Sequence, residues 1–196
     1  MYFEAVILGI ILGLIRGGSL KKFSLFNIRG WFLVLIGAAL NLGVLMFKGK
    51  DPVAGNENLI LFASLLVVAL IVLINIEKKG FWAIFIGIAL NITTVIMNGY
   101  KSPISLKALK NSGLDGLYEI VEAGKSFNYM SLDLVDNWTR FFGKYISIPL
   151  GYPFPKVLSP GDIMITLGIV LFIYGEMLSN KYEGQNMIRF SYNSRI

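Results

Sequence analysis

Long apolar blocks almost free of charge, separated by short segments that collect lysine and arginine, constrain this chain more than any other feature of its sequence. A soluble helix carries a polar stripe every three or four residues. These blocks are apolar all the way round. Crossing a hydrocarbon core about 30 Å thick takes roughly 20 helical residues, with about 17 as a lower limit. Five blocks approach or meet that length: residues 2–15, the shortest, then 30–47, 59–76, 81–97 and 163–178. Tyr174 and Tyr182 suit an interfacial boundary at the end of the last block. The first block is read as a retained helix, because Arg16, Lys21, Lys22 and Arg29 follow it, whereas a cleaved leader has its basic residues in front.

Orientation follows from the basic residues in short loops. The first loop carries those four cations, the turn at 77–80 carries Lys78 and Lys79, and the tail carries Lys181, Arg189 and Arg195. In the second loop Lys48 and Lys50 are offset by Asp51 and Glu57. Five spans put the three basic segments on one side, with the N-terminus outside and the C-terminus cytoplasmic. The net charge of +6 therefore reads as membrane orientation, and no nucleic-acid partner is expected.

Residues 98–161 then lie outside. Residues 105–111, 114–124 and 131–143 read as short amphipathic helices, broken by Gly113, Gly124 and the run Pro149, Gly151, Pro153, Pro155. Two arrangements stay open. The segment lies on the outer membrane face, anchored by Trp138, Phe141, Phe142 and Tyr145, or it packs as a mini-domain above the bundle. The expected fold is all-α: a polytopic membrane helical bundle of about five transmembrane helices, with an extracytoplasmic helical segment before the last span. The domain reading is a four-helix membrane unit of two parallel repeat hairpins at 1–100, the extracytoplasmic segment at 101–161, a fifth transmembrane helix at 162–180 and a cytoplasmic tail at 181–196.

The repeat rests on Ile36-Gly37-Ala38-Ala39-Leu40-Asn41, which matches Ile86-Gly87-Ile88-Ala89-Leu90-Asn91 in all but one position. It divides the first unit into hairpins 1–50 and 51–100. Its small residues allow close helix approach, and Asn41 and Asn91 place carboxamides in the apolar region. Such groups need partners there. The two could bond each other across a pseudo-twofold interface, joining helices, or coordinate a ligand.

The chain has no cysteine and no histidine, which removes disulfides, thiol nucleophiles, Cys/His metal sites and histidine-based triads. Asp162 follows Ser159-Pro160-Gly161 and is placed to cap the last span. Glu4 sits in a first helical turn, and Glu176 is expected to reach interfacial water at the inner end. Asn98-Gly99 closes the fourth span. Asn41, Asn91, Asn98 and Asp162 are the candidate ligand-binding residues. No catalytic, cofactor or metal residues are assigned. The sequon Asn137-Trp138-Thr139 carries no weight, because such short matches recur by chance.

Three stretches carry a resemblance: Glu4 to Gly18 with Ile-Leu-Gly-Leu-Ile-Arg-Gly-Gly; Asn98-Gly99 with Pro103 and Ser105-Leu106-Lys107-Ala108-Leu109; and Ser159-Pro160-Gly161-Asp162-Ile163 leading to Gly168. Together they resemble an uncharacterised family of small multi-pass bacterial membrane proteins, mostly from Gram-positive bacteria, classed as a domain of unknown function. The resemblance implies a bacterial plasma membrane and an all-helical architecture, and it supplies no activity. The chain departs from that pattern at Tyr100 and Ser102, where Gly and Met are usual. It also has Phe142-Gly143-Lys144 where Leu-Gly-Asp is usual, so no role is built on that carboxylate.

The leading expectation is a non-enzymatic accessory, scaffold or sensory membrane component that contacts membrane lipids and a protein partner or a second copy of itself. Its rival is a small permease for a small molecule or lipid with a path near Asn41 and Asn91. A third class, an envelope enzyme working through Asp133, Asp136 and Asp162, is the least favoured, and no cofactor is expected.

Overall fold

The structure, a computed structural model, describes residues 1–23, 27–47, 55–136 and 138–179. Lys48, Lys50, Asp51, the sequon's Asn137, Tyr182 and the tail 181–196 with Lys181, Arg189 and Arg195 lie outside the described residues, as does the side chain of Lys22.

Each of the five apolar blocks is a helix: α1 (Tyr2–Ile15), α3 (Phe32–Phe47), α4 (Glu57–Ile74), α5 (Phe81–Met97) and α8 (Pro160–Met177), with a single turn α2 (Leu20–Phe23) after the first. Two of them, α4 and α8, are long and apolar enough to cross a membrane; α1, α3 and α5 are shorter apolar helices. Large apolar side chains such as Leu35, Leu45 and Met46 of α3 and Leu70 of α4 are exposed on the outside of the bundle.

Helix α8 is central. It lies along α5 on one side and α1 on the other, while α4 packs on both α3 and α5. The principal contacts of the 1–50 stretch are therefore made outside it, α1 on α8 and α3 on α4. Antiparallel α5 and α8 meet along glycines spaced about two turns apart, a repeat that keeps one face in register. A Cβ on Gly87 would collide with the Gly161 carbonyl oxygen and lie 2.9 Å from the Ile165 nitrogen. One on Gly168 would lie 2.6 Å from the Gly80 oxygen. Around this seam and toward the basic end Val72, Phe81, Ile84, Phe172, Ile173 and Met177 form a buried core, with Phe81 edge-on to Phe172 at 5.0 Å.

The basic loops gather at one end. Asn75, fully buried, accepts from the Arg29 N–H and donates to the Arg29 carbonyl, both at 2.8 Å, so its carboxamide pairs with the first loop as a strand would. Arg29 pairs with Glu77 at 3.1 Å, and the Ser19 N–H donates to the Met177 oxygen at 3.1 Å. Glu176 differs from expectation: it is buried and faces Lys78 at 3.8 Å, because α8 ends against the 75–80 turn.

At the other end, residues 98–159 correct the all-α expectation, because they contain strands. β1 (Ser102–Ile104) pairs in parallel with β2 (Tyr129–Ser131), and β3 (Ile146–Ile148) pairs antiparallel with β4 (Lys156–Leu158). Two short helices, α6 (Leu106–Asn111) and α7 (Asp115–Glu122), agree with the sequence reading. The third expected helix, 131–143, is instead two 3-10 turns at Leu132–Leu134 and Trp138–Phe142. This cap has its own buried cluster of Ile104, Ala108, Leu109, Val121 and Val157. Trp138, Phe141 and Tyr145 are exposed on it.

Candidate functional site

The site forms where the cap meets the bundle, and Asp162 is its hub. Ser159-Pro160-Gly161-Asp162 starts α8 with a capping box: Ser159 Oγ accepts from the Asp162 N–H at 3.0 Å, and Asp162 Oδ2 accepts from the Ser159 N–H at 3.1 Å. Pro160 fits the first helical position because it lacks only an N–H that would have no helical partner there. Asp162 Oδ1 accepts from Asn91 Nδ2 at 3.1 Å, and Asn91 Oδ1 accepts from Ser159 Oγ at 2.9 Å. Lys144, arriving between the Trp138–Phe142 turn and β3, forms an ion pair with Asp162. Asp162 is 5% exposed, and its carboxylate accepts from two neutral donors, the Ser159 N–H and the Asn91 amide, while Lys144 matches its charge.

Asn91 and Asp162 therefore come together, as the sequence could not show. The other candidates separate. Asn41 donates to the Gly37 oxygen of its own helix at 2.8 Å, so the two repeat asparagines do not bond each other. Asn98 donates to the Thr94 oxygen at 2.7 Å and to Thr139 Oγ1 at 2.8 Å, tying the end of α5 to the cap. Glu4 pairs with Lys156 and accepts from Tyr152 Oη at 3.0 Å, a second tie between bundle and cap. Asp133 pairs with Arg140 at 3.6 Å on the exposed surface. Among the described residues no group of three acidic side chains is placed to hold a metal ion.

Beside the cap-side part of the glycine seam, between α4, α5 and α8, lies an open cavity of about 790 Å³ that also takes in Asn41 and Tyr2. Its walls toward the bundle are apolar, formed by residues such as Leu61, Val68, Ile84, Ile88 and Ile165. Its rim toward the cap is polar, with Asn58, Asn91, Asn128, Tyr129, Lys144 and Asp162. Asn41, Asn91 and Asp162 all line it, whereas Asn98 does not. Nothing in the sequence marks Asn58, whose buried Oδ1 has no hydrogen-bond partner among the described residues. The roles of Lys144 and Asn75 are likewise visible only in the fold.

Tyr100, also on this wall, has a left-handed backbone (φ 61°), the one such non-glycine among the described residues. Its N–H donates to the Val95 oxygen at 2.9 Å, and its ring meets Phe62 edge-on at 5.2 Å. A side chain there is strained, and glycine is not. Tyr100→Gly is expected to be more stable than Tyr100→Ala by about 1 kcal/mol, because both lose the ring contact and only glycine relieves the backbone. Thermal unfolding in detergent measures this; alanine at or above glycine would contradict the left-handed geometry.

Fold and site together define a mostly helical protein: an apolar bundle topped by a small mixed cap, with an amphipathic cavity at their junction. The chain belongs to the family of unknown function DUF5317, whose model matches residues 25–174. It is also similar to an uncharacterised protein of Thermotoga maritima, 25% identical over 172 residues, which cover 88% of this chain and 89% of that one. No solved structure matches it.

Proposed function

We propose that the chain is a multi-pass protein of the bacterial plasma membrane, its five apolar helices crossing the bilayer with the N-terminus outside and the C-terminus cytoplasmic. It acts there as a non-enzymatic accessory or sensory component that holds a small amphipathic molecule in the cavity. The observation that carries the reading is the cavity itself: an apolar wall between α4, α5 and α8 ending in a polar rim beneath the cap. Its volume falls in the range of about 300–1,000 Å³ usual for small-molecule sites. The basic loops at the opposite end support the orientation, since such residues are retained on the cytoplasmic side. In water the exposed leucines and methionines of α3 and α4 would form an unfavourable surface, and lipid covers them.

Binding fits the geometry better than passage. Beneath Val68 and Ile84 the buried core of Val72, Phe81 and Phe172 closes the bundle toward the basic end. Catalysis fits less well still, because the bonds of Asp162 are taken up by Ser159, Asn91 and Lys144.

Native mass spectrometry of protein released from lipid nanodiscs tests the binding. Val68→Trp fills the cavity and is expected to remove a co-purifying amphiphile. Leu70→Trp, on an exposed face that does not line the cavity, is expected to keep it. Equal retention by both variants would mean that the molecule is not held there.

A further inference from the structure

We infer that the molecule held in this cavity has an uncharged head bearing a hydroxyl, on an apolar chain. The inference rests on the cavity reading above and specifies its ligand. The rim contains one cation and one anion, Lys144 and Asp162, and they are bonded to each other. Its other polar members, among them Asn58, Asn128, Tyr129 and Ser102, are neutral. An anionic head would have to compete with Asp162 for Lys144, and a cationic head with Lys144 for Asp162. Breaking a buried pair leaves a charge without a partner, which is strongly unfavourable. An uncharged head leaves the pair intact.

The rim also points to a hydroxyl. Asn58 lines the cavity and its carboxamide makes no hydrogen bond among the described residues, while its Oδ1 has no exposed surface. A hydroxyl both donates and accepts, so it can meet the amide from whichever side the cavity leaves open. The bound molecule would lie with its head between Asn58 and the cap and its chain along Leu61, Val68 and Ile169, entering from the leaflet on the cap side.

The test uses three probes with the same oleoyl chain: 1-oleoylglycerol, oleoyl lysophosphatidylglycerol and an oleoyl trimethylammonium. Each is titrated into phosphatidylcholine nanodiscs holding the full chain, and bound copies are counted by native mass spectrometry. The expected result is one bound 1-oleoylglycerol, held about tenfold or more tighter than either charged probe. Asn58→Leu, which removes no side-chain hydrogen bond among the described residues, lowers that affinity by about tenfold. Asn58→Asp moves the preference toward the cationic probe. Equal or tighter binding of a charged probe, or an Asn58→Leu protein with unchanged affinity, would overturn the inference while Val68→Trp still blocked binding. Failure of all three probes to bind would remove the cavity reading and this inference with it.

Discussion

Lys144→Met is expected to destabilise the protein by about 3–5 kcal/mol, because it leaves the Asp162 carboxylate buried without its cation. The side chains of Lys144 and Asp162 are 19% and 7% exposed, so water replaces little of the lost interaction. Asp162→Asn combined with Lys144→Met is expected to recover most of the loss. The double variant has no buried charge, and asparagine at 162 still offers an oxygen to the Ser159 N–H. Arg140→Met is the control. Its ion pair with Asp133 is on the surface, with side chains 53% and 70% exposed, and such pairs contribute roughly 0–1 kcal/mol. Unfolding of detergent-solubilised protein followed by intrinsic fluorescence compares the three variants with the unaltered protein. A double variant no better than Lys144→Met would mean that the charges are not coupled.

The second large effect lies along the α5–α8 seam. Gly87→Ala and Gly168→Ala are each expected to lose about 1–3 kcal/mol, since the added methyl meets backbone atoms of the facing helix. Gly80→Ala is expected to lose more. Its φ of 83° is unfavourable to any side chain, and its Cβ would collide with the Gly168 oxygen. Gly43 of α3 has nothing within 4 Å of its Cβ position, so Gly43→Ala should gain about 0.5–1 kcal/mol through helix propensity alone. The same unfolding measurement ranks the four. If Gly43→Ala and Gly87→Ala behaved alike, the helices would not be in contact at these glycines.

The bundle was legible because its signals are local. Charge-free apolar blocks delimited the five helices, with ends displaced by a few residues; the last begins at Pro160 and not at 163, since the capping box adds a turn. The strands left no such signal. Alternation needs several residues to show, and β1 to β4 have three each. Residues 131–143 have apolar spacing that suits a helix, but Ser131 caps a 3-10 turn there and the chain turns back toward Lys144.

The site was legible residue by residue and not as a constellation. Asp162 and Asn91 stood out as polar groups in or beside apolar blocks, yet 71 residues separate them. Only the close approach of α5 and α8 at Gly87 and Gly161 brings them into hydrogen-bonding distance. The repeat pointed to Asn41 as the partner of Asn91, but identical local sequence did not produce identical surroundings: α5 packs chiefly on α8, while α3 packs chiefly on α4. Lys144 and Tyr100 stood out as departures from a family pattern. Lys144 supplies the cation of the buried pair, and Tyr100 occupies a backbone conformation suited to glycine.

The proposed orientation places the cavity on the outer side of the membrane, and the absence of cysteine from the chain allows a direct measurement. Single cysteines at Leu20 and Ile120, both exposed at opposite ends of the structure, are treated with an impermeant maleimide in intact cells and again after permeabilisation. Labelling of Ile120→Cys in intact cells, with Leu20→Cys reached only after permeabilisation, is the predicted result. Leu20→Cys labelled from outside, or both positions labelled alike, would contradict it.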